Sequence, residues 1–178
     1  MCRTRIYLLI PTLLFALQLS AQQRFQKGSV LAHVSANASV DGLGAGVTNA
    51  GFTVADGGSY FFRDNLAVAM DGRYSWAPLT QNMSATVRLQ SAPFDFSATS
   101  HSLLLDVHGG LGQTLNTTIG GDMFGRTMSA VGVGAQYAYW LTPRASLYLW
   151  PQLKYTNGGA SGLWGWQMIA PLGLQIRL

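Results

Sequence analysis

His101 and Ser102 stand side by side, and a histidine next to a hydroxyl is the minimal start of an acyl-transfer site. That chemistry also needs an acid to orient the histidine, and the sequence has no Glu anywhere. Asp106 and His108 lie two apart, so in an extended chain they share a face, where they would make a base with its orienter, two metal ligands, or a polar pair facing an interior. The polar pair asks least of the rest of the sequence. His33 has no sequence neighbour of ligating type. Gly42, Gly44 and Gly46 alternate, but no helix follows to aim its N-terminus at a phosphate, so that segment reads as a flexible loop. Cys2 is the single cysteine. Nothing here predicts an enzyme, a metal centre or a cofactor.

The chain around these residues has 178 residues, and charged side chains make up 10% of it, against about 25% in ordinary soluble proteins. Arg3 and Arg5, an apolar run from Ile6 to Leu19, and Leu19-Ser20-Ala21 form the three-part layout of a secretory signal peptide. Cleavage after Ala21 is expected, leaving 22–178 as one domain without a thiol. The mature chain would keep nine basic side chains against seven Asp, with no basic run or face, which gives no reason to expect nucleic acid as a partner. Asn37-Ala38-Ser39, Asn82-Met83-Ser84 and Asn116-Thr117-Thr118 match the glycosylation triplet by chance.

Helical periodicity is missing after residue 21, whereas period-two alternation recurs. Trp164, Trp166, Met168, Ala170, Leu172, Leu174, Ile176 and Leu178 take one face of the last segment; Gln167, Gly173, Gln175 and Arg177 take the other. Only a strand separates those sets. Eight strands are expected, near 29–40, 50–62, 66–76, 82–90, 99–111, 131–139, 144–155 and 164–178. Tight connections fall at Arg63-Asp64-Asn65, at Ser91 to Phe94 and at Leu141-Thr142-Pro143. Looser, Gly-rich ones fall at Asp41 to Asn49, Gly112 to Arg126 and Thr156 to Gly162. Short turns at one rim and longer loops at the other suit an outer-membrane barrel. The predicted fold is all-β: a transmembrane antiparallel up-and-down β-barrel of eight strands.

Alternation alone does not say which face is outside, because a soluble ligand-binding barrel has the apolar face within. The polar face is built mostly of Gly, Ala, Ser and Gln, too few charges for a water-facing surface. The apolar face carries Tyr74, Trp76, Tyr137, Tyr139, Tyr155, Trp164 and Trp166 near strand ends, as membrane girdles do. The apolar face therefore meets lipid. The polar face then lines a narrow lumen filled by a network of Asp71, Arg73, Arg88, Asp106, His108, Arg144, Lys154 and Arg177, with Tyr148 and Trp150 adding bulk. Asp56 falls on the lipid face, and a bulge at Gly57-Gly58 would turn it away. Pro151 and Pro171 each remove a ladder hydrogen bond inside a strand, and local bulges are expected there too.

YFFRDNLAVAMDGRYSW (Tyr60 to Trp76) and YWLTPRASLYL (Tyr139 to Leu149) resemble hairpins of the small outer-membrane β-barrel proteins, relatives in architecture of the OmpA and OmpX barrels. The terminal PLGLQIRL resembles the signal by which the barrel-assembly machinery recognises a last strand, carried by Gly173, Ile176 and the hydrophobic C-terminal Leu178, where an aromatic is usual. The resemblance implies a bacterial outer-membrane location, surrounding lipid and the assembly machinery as partners, and a protein partner met through the loops. The implied role is structural or interactive; a narrow pore or a transport barrel for a small hydrophobic molecule is the alternative.

Overall fold

The structure is a computed structural model and describes residues 25–43, 47–77, 80–96, 100–117, 123–157 and 165–178. Its strands are β1 (Val30–Leu43), β2 (Val47–Arg63), β3 (Leu66–Ala77), β4 (Thr80–Phe96), β5 (His101–Thr117), β6 (Met123–Trp140), β7 (Ala145–Leu149), β8 (Gln152–Asn157), β9 (Gly165–Ile169) and β10 (Leu172–Arg177). Successive strands pair antiparallel from β1 to β6. β6 pairs with both β7 and β8, which pair in turn with β10 and β9, and β10 returns to β1. β7 with β8 forms one side of the ring and β9 with β10 another. The result is an eight-sided barrel whose ring closes where β10 meets β1 over Leu31–Ala36; among the described residues no pairing joins the loop half of β1 to β9. Ring closure is what lets a sheet satisfy its backbone groups in lipid.

Pro151 and Pro171 divide the last two sides, but neither makes a bulge. Leu149 faces Leu172 before the break and Gln152 faces Ile169 after it, in unchanged register, and β6 keeps its register across the same gap. Each proline accepts one ladder bond through its carbonyl, from Ala135 N and Trp150 N at 3.0 Å, and lacks only the bond its own nitrogen would have donated. The cost is one hydrogen bond per proline with no inserted residue. On the outside the break adjoins an apolar groove lined by Leu105, Val133, Pro151, Leu153 and Met168.

Other boundaries move for the same reason: ladder hydrogen bonds carry strands past local turn chemistry. Ser91 to Phe94 is a register shift within β4, which runs on to Phe96, so the turn comes later than its Pro93 suggests. β5 and β6 likewise extend to Thr117 and from Met123 through most of the expected loop. Seventeen residues, as in β2, rise roughly 40 Å at 45° tilt, well beyond an apolar band about 25 Å tall. The long hairpins therefore project past the membrane at the loop rim.

Burial assigns the faces. Met70, Leu111 and Val131 are 65%, 67% and 59% exposed, whereas Arg88, Gln90 and Ser146 are fully buried. A closed barrel with its aliphatic side chains outward and its charges inward is built for a hydrocarbon solvent. Phe52 and Trp76 pair at 5.9 Å, and Tyr155 and Trp166 at 5.6 Å, on the outer face toward the loop rim. Tyr137 and Tyr139 flank His101 toward the opposite rim. Trp164 lies outside the described residues.

Asp56 corrects the expectation of a bulge at Gly57-Gly58. The ladder is continuous through both glycines, and Asp56 stays exposed on the outer face between Val34 and Gly72. It sits midway between Phe52 and Phe62, near the centre of the apolar band. Asp56→Val should therefore stabilise the barrel in bilayers by about 1–2 kcal/mol, less than a basic residue would cost there. A urea refolding titration in lipid vesicles would measure it, and a loss of stability would show that the carboxylate has a partner in the membrane.

The barrel is closed at the short-turn rim by a segment the alternation did not reveal. Phe25 is fully buried, stacked on Phe61 at 5.1 Å and close to Trp140 at 6.4 Å. Leu31, Ala67, Ala92 and Leu104 complete this apolar floor. Phe25 O accepts from Asn65 N at 2.8 Å, Gly28 N donates to Phe61 O at 2.7 Å, and Lys27 N donates to Asp64 Oδ1 at 2.8 Å. Asn65 has a φ of 62°, which asparagine tolerates. The chain entering β1 is thereby folded under the turn joining β2 to β3.

Candidate functional site

Above the apolar floor, facing strands bring together the charges that alternation had placed on one face. Arg88 of β4 reaches Asp71 of β3, with Nη2 donating to Oδ1 at 2.8 Å and Nε 2.5 Å from Oδ2. His33 Nε2 of β1 is 2.5 Å from the same Oδ1. An ionised carboxylate only accepts, so Nε2 carries the proton, and the 3.1 Å approach of Arg88 Nη2 to it is packing between donors. The guanidinium also lies 4.1 Å from the centre of the Trp150 ring and within 3.4 Å of Gln136 Oε1. Gln136 in turn donates to Gln175. Arg88 is thus held by one carboxylate, one amide and one aromatic face.

A second carboxylate is also fully engaged. His108 Nδ1 donates to Asp106 Oδ1 at 2.7 Å, and Trp150 Nε1 donates to Asp106 Oδ2 at 2.7 Å. With the proton on Nδ1, Nε2 of the neutral His108 ring is an acceptor, and that atom is buried without a partner. Glycine makes the room. A side chain on Gly134 would collide with both Trp150 Nε1 and Asp106 Oδ2, and one on Gly132 would start 2.5 Å from His108 Nε2.

The remaining predicted lumen residues divide. Arg73 and Lys154 face the lumen, half-buried, on the loop side of Asp71 and Trp150 in their strands. Arg73 Nη2 lies 3.3 Å from Gln152 Oε1. Arg177 is half-buried near the short-turn rim, facing Leu31. Arg144 is a correction: it is exposed in the turn after β6 and does not enter the lumen, because Thr142 Oγ1 accepts from the backbone N–H groups of Arg144 and Ala145 and folds the chain before β7 begins. In the terminal strand Ile176 and Leu178 are exposed on the outer face, whereas Gly173 faces the lumen under the Tyr148 ring.

Sequence reasoning missed His33 and Phe25. His33 was visible as an inward position opposite Val34, but its partner lies 38 residues away and is reached only through strand pairing. The adjacent His101 and Ser102 point apart. His101 Nδ1 meets the Tyr137 hydroxyl at 2.5 Å on the outer side, while buried Ser102 accepts from Trp140 Nε1 at 2.9 Å within. Alternation separates neighbours, so this pair does not form a nucleophile and base. Among the described residues no group of three or more His, Cys, Asp or Glu is placed to hold a metal ion.

No family model matches the chain, and no curated protein matches it. Among solved structures it is similar to Neisserial surface protein A, with a TM-score of 0.60 and 17% identity over 84% of this chain and 94% of that one. Ail, the attachment invasion locus protein of Yersinia pestis, matches in its crystal structure with a TM-score of 0.42 and 15% identity, over 86% of this chain and all of its own. The backbone structure of the same outer membrane protein in a phospholipid bilayer nanodisc gives 0.45 and 15%, with the same coverage. The first likeness is one of fold: this chain has the architecture of the small outer-membrane β-barrels.

Proposed function

We propose that this chain is an integral barrel of the bacterial outer membrane, reached by export and removal of residues 1–21, with a structural or interaction role and a lumen closed to ions. The observation that carries the closed lumen is the stack of two barriers, the apolar floor built on Phe25 and Phe61 and the Asp71–Arg88–Trp150 layer above it. An ion crossing the floor would leave water with no polar group to replace its hydration, at a cost of many kcal/mol. Engaged carboxylates, and a histidine without a nucleophile beside it, support a role other than catalysis. Gly173, Ile176 and Leu178 would serve the assembly machinery, although Gly173 is also required by the Tyr148 ring above it. The projecting hairpins would meet a partner.

A narrow pore lined by Arg73 and Lys154 is the competing reading. Purified protein in a planar bilayer separates them. The closed barrel predicts no steady single-channel current, and opening of a path by Phe25→Gly combined with Arg88→Ala. Steady conductance in the unaltered protein, abolished by boiling and changed by Arg73→Ala, would establish the pore.

A further inference from the structure

Both lumen carboxylates among the described side chains are already engaged, Asp71 by Arg88 and His33, and Asp106 by His108 and Trp150. Two cations on the loop side of them have no ion-pair partner among the described residues, although Asp71 still acts on Arg73 through space. Among the described residues Arg73 hydrogen-bonds to the Gln152 carbonyl oxygen at 3.3 Å, and Lys154, on the same face of β8 as Gln152, has no described partner. A charge in a narrow lumen without an opposite charge beside it is unfavourable, and two cations facing each other across the lumen, from β3 and β8, compound it. The polar atoms around them are also unanswered. Gln152 Nε2, Thr156 Oγ1 and His108 Nε2 are buried without a hydrogen-bond partner, although Gln152 is only 2% exposed. Gly132 ties the histidine to this wall, since its absent side chain would lie 2.5 Å from His108 Nε2 and 2.9 Å from Lys154 Cα.

We propose that this part of the lumen is a blind anion-binding cup, in which Arg73 and Lys154 hold a phosphate-type oxyanion, Gln152 donates through its amide, and His108 accepts from the ligand. The acceptor makes the cup selective. Asp106 keeps the His108 proton on Nδ1, so Nε2 offers a lone pair, and an oxyanion with a P–OH group satisfies it while sulfate, which has no proton near neutral pH, does not. The apolar floor below closes the short-turn end, so a ligand enters from the loop side, where β1 and β9 do not pair among the described residues. Inorganic phosphate and the phosphomonoester of a lipid headgroup share this chemistry.

The test is calorimetric titration of the refolded full-length barrel in a maltoside detergent at fixed ionic strength, with inorganic phosphate, sulfate and glycerol 1-phosphate. Saturable one-to-one binding of phosphate is expected, with sulfate weaker by about tenfold or more, on the order of 1.4 kcal/mol. Lys154→Gln and Arg73→Gln should each weaken phosphate about tenfold, whereas Arg144→Gln in the exposed turn should leave it unchanged. His108→Phe should remove the preference over sulfate. Tighter binding of glycerol 1-phosphate than of phosphate assigns the headgroup as the source; the reverse assigns the free ion. Absence of saturable heat with either phosphate compound, or equal binding of phosphate and sulfate by the unaltered protein, would overturn the cup. The phosphate and sulfate comparison needs no variant, and no outcome depends on whether the barrel conducts ions.

Discussion

Arg88→Met should destabilise the barrel by about 3–5 kcal/mol in a reversible urea titration, the range for removing one partner from a buried ion pair. Arg88 is fully buried and touches Asp71, Trp150 and Gln136. Its loss strands the Asp71 carboxylate with only the His33 ring, in a lumen that water does not reach freely. The double variant Arg88→Met with Asp71→Asn should recover at least half of the loss, because the neutral amide no longer needs a cation. The pair itself need not add net stability, since desolvating both ions offsets their attraction. If the double variant were as unstable as the sum of the two single variants, the two side chains would not be coupled, and the layer above the floor would be misassigned.

The outer face gives the second large effect. Val133→Arg and Leu147→Arg should each cost about 2–4 kcal/mol in vesicles, falling toward zero for positions near either interface. Both side chains are exposed on the barrel wall, at 51% and 42%. Ser146, one residue from Leu147, is fully buried on the other face. Arginine there meets crowding and an existing ion layer, so its penalty should persist in detergent micelles and respond to a compensating small residue opposite. Equal tolerance at Ser146 and Leu147 would contradict the assignment of inside and outside.

What the sequence revealed and what it hid follow from the range of the interactions. The face of each strand was legible because it depends on period-two alternation, which is local; residues from Leu172 to Leu178 fall on the faces their spacing indicates. Strand ends were less legible. Ser91 to Phe94 reads as a turn because Pro93 favours one, yet pairing with β5 carries the strand past it. Pro151 and Pro171 were expected to insert bulges, but a proline whose carbonyl still accepts loses one bond, which costs less than shifting a whole register. Asp56 was read correctly as facing outward and wrongly as escaping. Arg144 was placed inside by counting back along β7, although the turn before β7 had already ended the alternation. Pairings within the lumen were legible only as like-facing charges. Which carboxylate each cation meets depends on the ring, and His33 joins Arg88 and Asp71 only because β1 lies beside β2 and the barrel closes.

The central claim is a closed barrel seated in a membrane with its apolar face outward, and mobility on a detergent gel before and after boiling tests it most directly. Membrane fractions should contain the protein, and the unboiled sample should migrate faster than the boiled one, because a ring of eight paired sides stays compact in detergent until heat unzips it. Recovery in the soluble fraction, or a single mobility unaffected by boiling, would contradict the account.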